Sequence, residues 1–547
     1  MAGPRSAGSM DTRRPAMARA GACAALGGVA IGMGGAPYEA FAIAWLGPAL
    51  FVLALRALAE ARPCGRQGLR RAALAGLCLG VGANATTCAW AVDLFTTYAH
   101  LPSPLAWVVA SLLFVAQSLP FVMAATVAWS VHRALSDVLG PESASIELAS
   151  PPALVIAASA APMIFPWRIG NSQTGFLALA QIAELGGLPL LDAVLATAST
   201  LGLVALVGRA GPRLSPRGRG LAGLGALAVL VVPAAWGARR LAEVRAARDA
   251  LPPLVVGVVQ HDFDIPERAD PARWEAQLAT TWSLSRELDA AGVDVLLWPE
   301  SSYPWGLRRV QLGLAPRYAG AYPDELGLAA ADLRAPIVLG AITRTEDEAF
   351  NSVIALDARR VLGVVDKTRL MPFSERIPAW SALPFLHPFL RPGLSEGPRD
   401  GGAIDVAAAR LGILNCYEDL MADHVWRVMR AHGPSVLSNH TNDAWFGRTR
   451  APGLHHFLAR MRAIETRRDV VRAVNTGVSG VISASGETLV RTEVFERTTL
   501  RATVRPSRAL TAWVRFGDVT AAAAWGLVLA AWAGRLRIRR PVPARLS

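Results

Sequence analysis

Three short stretches hold side chains able to do covalent chemistry: Trp298-Pro299-Glu300, Asp366-Lys367 and Cys416-Tyr417-Glu418. Cys416 ends the stretch RLGILNCYED (410–419), whose apolar part reads as a short buried strand and whose end opens a segment with helical spacing. A thiol on such a strand-to-helix bend is exposed beside backbone N–H groups that can hold an oxyanion. A lone cysteine can equally be a small packing residue, and the other two stretches favour chemistry. Thiol acyl transfer needs a nucleophile, a group that takes and returns a proton, and a cation or donor set for the oxyanion. Glu300 follows an apolar run and Trp-Pro, at the lip of a sheet, where partial desolvation raises a carboxylate towards a useful pKa. Lys367 follows VLGVVD and can hold the oxyanion beside the N–H of Tyr417. Three strand ends in one sheet would converge on one pocket. His455 and His456 fall on a helix and His440 in a loop, so a Cys-His site fits less well.

Lys367 is the only lysine in the chain, every other side-chain cation being arginine or histidine. An arginine-biased composition replaces lysine wherever a plain positive charge suffices. The survivor marks a site that needs a compact ammonium with a movable pKa, which guanidinium cannot supply. Of the five cysteines, Cys23, Cys64, Cys78 and Cys88 fall in apolar regions or their loops, which leaves Cys416 alone in the globular part. No CxxC or Cys/His cluster occurs, so neither a disulfide framework nor a metal site is expected, and no cofactor.

The elements that must position these residues lie in two unlike regions. The chain is 547 residues long and 52% hydrophobic, with the apolar residues concentrated before about residue 237. Candidate membrane spans fall at about 20–36, 39–57, 72–94, 105–130, 151–167, 188–208 and 220–237, with a last one at about 517–534. The net charge of +13 sits largely in short segments between spans and at the two ends, which anchors cytoplasmic loops and argues against nucleic acid. Arg5, Arg13, Arg14 and Arg19, Arg56 to Arg71, Arg209 to Arg219, and Arg535 to Arg540 all fall on one side if seven spans precede the globular part, placing that part outside the cytoplasm. Arg239, Arg240, Arg245 and Arg248 run against the rule unless they belong to the globular domain.

From Pro253 the pattern alternates short strands with helices: strands at 254–260, 293–298, 337–343, 352–357, 361–365, 411–414, 435–439, 471–475 and 478–484, and helices at 274–290, about 420–432 and about 453–468. That is an α/β layered fold with a buried sheet. The expected organisation is a membrane domain over 1–238 with about seven helices, a catalytic domain over 250–510, and a last helix with a basic tail over 515–547.

WPE (298–300), DKTRLMPFSERIP (366–378), LNCYED (414–419) and NDAWFG (442–447) resemble the nitrilase superfamily. With the flanking spans, FPWRIGNSQTGF (165–176), HHFLARMRAIETRR (455–468) and VRAVNTGVSGVI (471–482), nearly the whole chain is similar to the apolipoprotein N-acyltransferase family. The resemblance implies an αββα sandwich domain with a Glu-Lys-Cys triad, carried by about eight spans in a bacterial inner membrane, with the catalytic domain on the periplasmic side. Cys416 is then the nucleophile, Glu300 the general base and Lys367 the oxyanion cation. Glu375 and Glu418 match further glutamates of that site, and Tyr417 and Trp445 are supporting or substrate-binding candidates. The implied partners are a phospholipid acyl donor and the S-diacylglyceryl cysteine of an apolipoprotein, reached by a monomer through a cysteine thioester. Gln260-His261-Asp262 departs from the family's Gln-Gly-Asn, Thr441 interrupts the usual Ser-Asn-Asp-Ala-Trp-Phe-Gly, and RTEDEA (344–349) diverges. None of these touches the triad.

Two other functions fit parts of the pattern. A membrane-tethered amidohydrolase would use the same triad with water as acceptor, but needs no seven spans as a tether. A scaffold with a decayed hydrolase domain would not have kept its one lysine.

Overall fold

A computed structural model describes residues 13–61, 65–140, 143–209, 213–309, 332–358, 360–372, 374–376 and 393–538. Cys64, Arg5, Arg539 and Arg540, all used in the sequence reading, lie outside the described residues, as do Phe373, Ile377 and Pro378 of the 366–378 stretch. The chain divides into two compact units, one made by residues up to Arg239 with those from Phe516 on, the other by Arg240–Arg515.

The first unit is helical. Five stretches among the described residues are long and apolar enough to cross a membrane: Phe41–Glu60, Ser103–Leu139, Ala183–Val207, Pro216–Asp249 and Val519–Arg537. Gly65–Thr87 with Ala91–Thr97 makes a sixth if that pair, bent by 60°, counts as one span. Met17–Met33 and Ser145–Ala160 are apolar but shorter. Each expected span has its helix, yet only five or six pass on length and apolarity. Small residues let these helices close on one another: a Cβ on Gly28 would lie 1.9 Å from the carbonyl oxygen of Leu79.

Irregular backbone inside this bundle is held by side chains, as an apolar surround requires. The FPWRIGNSQ stretch forms a 3-10 turn at Ile169–Gln173. Gln117 donates to the carbonyl of Phe165 (3.0 Å) and accepts the N–H of Ile164 (2.6 Å). Trp167 donates to Asn84 (3.1 Å). Arg168 donates to Asp192 Oδ2 (2.7 Å), to the Ser159 hydroxyl (3.0 Å) and to the Val155 carbonyl (3.0 Å), and Asp192 Oδ1 accepts the N–H of Gly170 (2.7 Å).

The second unit is built of two facing sheets. The first contains β1 (Leu254–Gln260), β2 (Val295–Leu297), β3 (Tyr303–Arg308), β4 (Ile337–Arg344), β5 (Ala349–Leu356) and β6 (Val361–Asp366). The second contains β7 (Gly402–Val406), β8 (Ala409–Asn415), β9 (Val436–Thr441), β10 (Val470–Val474), β11 (Gly480–Ile482) and β12 (Thr488–Arg491). The last strand, β13 (Thr498–Val504), returns to the first sheet beside β1. Strand order is β13-β1-β2-β4-β5-β6 with β3 on β4, and β12-β11-β10-β9-β8-β7. β1, β2 and β4 run parallel, as do β8, β9 and β10.

Valines and isoleucines from the two inner faces make one core, Val256, Val295 and Val353 meeting Ile404, Leu411 and Ile413. Trp282 and Leu288 of the helix Trp274–Ala290 cover the outer face of the first sheet, over Val259 and Leu296. Val425 and Met429 of Ala422–His432, with Ala459 and Ala463 of Ala451–Thr466, cover the second over Leu414 and Val470. The layers are therefore α, β, β, α. Burial on both faces explains why the central strands read as unbroken apolar runs.

Two expectations are corrected. The three candidate strand ends do not share a sheet: Glu300 follows β2 and Lys367 follows β6 in the first, whereas Cys416 follows β8 in the second. His440 is inside β9, not in a loop, because β9 continues past the polar Ser-Asn-His to Thr441. Strands β3, β7, β12 and β13 were not foreseen. Two of the arginines that defied the charge rule serve this unit. Arg245 pairs with Glu487 (2.6 Å), and Arg248 pairs with the buried Asp469 (2.9 Å).

Candidate active site

β2 hands the chain to Trp298, which is fully buried and donates its indole N–H to Ser285 (2.8 Å). Pro299 and Glu300 then turn away from the sheet, and Ser301 follows with φ +48°. The turn closes against β4 only because residue 340 is glycine: a Cβ there would sit 2.4 Å from the N of Ser301 and 2.6 Å from the Pro299 carbonyl. His440 bridges from the second sheet, its Nδ1 2.7 Å from the Trp298 carbonyl and its Nε2 2.9 Å from the Ser438 hydroxyl. Burial drops its pKa to about 4 against the opposing pull of the Trp298 carbonyl, so the ring is a neutral strut.

Glu300 and Lys367 meet at 3.0 Å, Oε1 to Nζ. Lys367 Nζ also lies 2.8 Å from Glu375 Oε2, and its side chain is almost wholly buried. Asn351, on β5, completes the group. Its Nδ2 donates to Glu300 Oε1 (2.7 Å) and to Glu375 Oε1 (2.9 Å), and its Oδ1 accepts from Asn415 Nδ2 (3.0 Å). Glu300 Oε2 accepts the backbone N–H of Asn442 (3.1 Å), and Glu375 Oε2 that of Met371 (2.8 Å). Two carboxylates thus share one ammonium, with donors on their remaining lone pairs. Burial would push the Lys367 ammonium down, but Glu300 and Glu375 outweigh it and hold the pKa well above the ordinary lysine value.

Cys416 has φ +56°, a left-handed conformation rare for a non-glycine residue. The strain is held from below, where Asn439 on β9 donates its Nδ2 to the Cys416 carbonyl (2.7 Å). Burial raises the thiol pKa well above the ordinary value, Glu300 adds to the rise, and Lys367 opposes it. The thiol lies within electrostatic reach of the glutamate and the lysine, and a nucleophilic role would require its proton to be taken.

The supporting candidates fall into different places. Glu418 Oε1 accepts the N–H groups of Thr368 (2.7 Å) and Arg369 (2.8 Å), and its Oε2 that of Asn415 (2.8 Å). It ties the chain after Lys367 to the Cys416 turn. Tyr417 donates its hydroxyl to the Leu370 carbonyl (2.8 Å) and presents its ring 5.7 Å from Lys367 Nζ. Trp445 is 45% exposed on the turn after Asn442, so it does not fill the core. Asn351, Asn439 and Asn442 were missed as site residues. Asparagines within or just after strands carry no local signal, and only the pairing of β8 with β9 and the facing of that sheet by β5 bring them to the site.

Residues 256–512 match the carbon-nitrogen hydrolase family, and residues 27–201 the apolipoprotein N-acyltransferase N-terminal domain. The apolipoprotein N-acyltransferase of Geobacter metallireducens is 31% identical over 503 residues, which cover 89% of this chain and 89% of that protein. That of Azotobacter vinelandii is 30% identical over 493 residues, covering 88% of each. That of Chromobacterium violaceum is 26% identical over 506 residues, covering 90% of this chain and 89% of its own. With both halves matched in order and close to full length aligned, the chain belongs to the apolipoprotein N-acyltransferase family.

Proposed function

We propose that this protein moves an acyl chain from a membrane phospholipid to the α-amine of an S-diacylglyceryl cysteine at the N-terminus of an apolipoprotein, through a thioester on Cys416. The observation that carries the reading is Lys367 Nζ held between Glu300 and Glu375, beside a thiol on a left-handed turn.

In the first half-reaction Glu300 takes the Cys416 proton as Sγ attacks the ester carbonyl. Lys367 faces the developing oxyanion, where a preorganised cation acts most strongly. The intermediate collapses with loss of the C–O bond, the proton passes from Glu300 to the glycerol oxygen, and a lysophospholipid leaves. In the second, the amine attacks the thioester and gives its proton to Glu300. The C–S bond breaks, and the proton returns to sulfur. Glu375 keeps the ammonium in place, Glu418 and Tyr417 hold the turn, and Trp445 offers an apolar face to an acyl chain.

The apolar helices suit lipid substrates confined to a bilayer, where anchoring raises effective concentration. We assign eight spans, counting the bent pair as one and including the two shorter helices. The catalytic unit is then on the periplasmic side of a bacterial inner membrane, with the arginine-rich loops and tail inside, and the protein acts as a monomer.

Intact mass after incubation with a defined phospholipid and no acceptor tests the reading. An acyl mass on Cys416, released by neutral hydroxylamine and missing in Cys416→Ala, is the expected result. Active, folded protein that takes no acyl mass removes the phospholipid donor and leaves the amidohydrolase.

A further inference from the structure

Beneath the Cys416 turn lies a second buried charge group that no step above uses. His455, on the helix Ala451–Thr466, reaches Asp419 Oδ1 with Nε2 (2.8 Å) and Asp443 Oδ1 with Nδ1 (3.0 Å). Arg472, on β10, pairs with Asp419 Oδ2 and lies 3.9 Å from Asp443 Oδ2. All four side chains are buried. Both ring nitrogens of His455 face carboxylates, which accept and do not donate, so the ring satisfies both only as an imidazolium. Two anions and two cations then balance in a volume that tolerates no net charge.

The two aspartates belong to the two turns that make the site. Asp419 lies in the 3-10 turn Cys416–Leu420, three residues after the nucleophile. Asp443 opens the turn Asp443–Phe446, directly after Asn442, whose N–H holds Glu300. Gly477 makes room for the Asp443 carboxylate, since a Cβ there would lie 2.5 Å from its Oδ2. We propose that His455 is a positioning residue that clamps the nucleophile's turn to the turn holding Glu300, and so fixes the thiol against its base. The proposal rests on the reading of Cys416 as nucleophile and Glu300 as base.

Charged or titratable groups facing the ring come from each packed element: Asp419, Asp443 and Arg472, with Arg462 and His456 on its own helix near them. Burial and Arg472 lower the His455 pKa, and Asp419 and Asp443 more than offset them, raising it to about 9. The clamp stays charged at neutral pH.

The test uses the full chain in detergent with a defined phospholipid, comparing His455→Gln, Asp443→Asn and the double variant with the parent. Two rates are read: acylation of Cys416 in a single turnover, and its alkylation by iodoacetamide across pH. His455→Gln leaves two buried carboxylates against one guanidinium and should slow acylation by about 10²-fold, the cost of misplacing reacting groups by an ångström or so. The lipid concentration giving half-maximal rate should stay unchanged. Asp443→Asn in the same chain removes the excess anion and should restore at least about tenfold of that loss. A histidine that only fills space predicts instead that the second substitution adds its own loss, and that result overturns the clamp. So does His455→Gln acylating within about twofold of the parent. Should His455→Gln alone not fold, the double variant is set against Asp443→Asn. Rates within about threefold support the clamp, and a slower double variant overturns it. Alkylation needs no lipid. His455→Gln should move its pH midpoint by about half a unit or more, and an unmoved midpoint overturns the clamp. A parent protein that takes no acyl mass sinks the acyl-transfer reading alone, because the alkylation profile still decides the clamp.

Discussion

Glu418 Oε1 accepts the backbone N–H of Thr368 at 2.7 Å, so a carboxylate two residues past the thiol holds the chain directly after the lysine. The bond crosses between sheets, since Thr368 follows β6 and Glu418 follows β8. Its other oxygen holds the N–H of Asn415, at the head of the Cys416 turn. A single side chain thus ties together the Lys367 and Cys416 segments, which the topology delivers separately.

Glu418→Gln replaces an acceptor-only group with an amide that must turn a donor towards backbone N–H groups. Acylation of Cys416 should fall by about 10²-fold, and stability by about 2 kcal/mol. Burial would raise the Glu418 pKa, but His424 and the N–H groups of Arg369 and Asn415 outweigh it and hold it below 4.5. A depressed carboxylate contributes stability above its unfolded pKa and loses it as pH falls through the folded value. Thermal unfolding followed downward from pH 4.5 should therefore show a shallower loss in Glu418→Gln than in the parent. Equal slopes would mean that Glu418 carries no such linkage.

Lys367→Arg keeps the charge and should still abolish acylation, by about 10³-fold or more. The ammonium sits 3.0 Å from Glu300 and 2.8 Å from Glu375 in a pocket shaped for a compact head. A planar guanidinium must displace one carboxylate or the other. Acyl-enzyme formation at several lipid concentrations separates the two effects: the maximal rate should fall and the half-saturating concentration hold. A variant with more than about a tenth of the parent rate would mean that any cation serves.

Much of the candidate site could be read from the chain because Glu300, Lys367 and Cys416 each follow an apolar run. The central strands were legible for the same physical reason, burial on both faces. GAIDV and TLVR were not. The first is short, with glycine and aspartate in it, and the second is mostly exposed at the sheet edge. Periodicity also says nothing about which strands pair. The return of β13 to β1, and the meeting of Glu300 and Lys367 with Cys416 from two different sheets, depend on residues far apart in sequence. In the first unit each expected span coincides with a helix, but Met17–Met33 and Ser145–Ala160 are too short to cross a bilayer unaided, and Gly65–Thr87 passes only together with Ala91–Thr97.

Asn351 shows what pairing adds. Its amide serves Glu300 and Glu375 with one nitrogen and Asn415 with its oxygen, so it links both carboxylates to the Cys416 strand. Asn351→Leu should remove one donor from each carboxylate, leave the Asn415 amide N–H without its acceptor in a buried site, and cost about 2–3 kcal/mol of stability. Asn351→Asp should be worse for acylation, because a third carboxylate there repels the other two. The order Asn, then Leu, then Asp in acylation rate is the expected outcome, and Asp equal to Asn would remove the amide's role as donor.

Arg168 and Asp192 make the corresponding test in the helical unit. Asp192 is wholly buried and meets Arg168 at 2.6 Å, while its other oxygen holds the N–H of Gly170. Removing the arginine strands a charge that the surround cannot solvate, at about 3–5 kcal/mol. Arg168→Leu should therefore lower the thermal midpoint in detergent sharply. Arg168→Leu with Asp192→Asn should regain part of the loss, because asparagine still accepts from Gly170 without a buried charge. Arg168→Lys should recover less than the arginine supplies, since one ammonium cannot reach Asp192, Ser159 and the Val155 carbonyl together. If the double variant is no more stable than Arg168→Leu alone, the guanidinium holds this segment through Ser159 and Val155, and the ion pair is incidental.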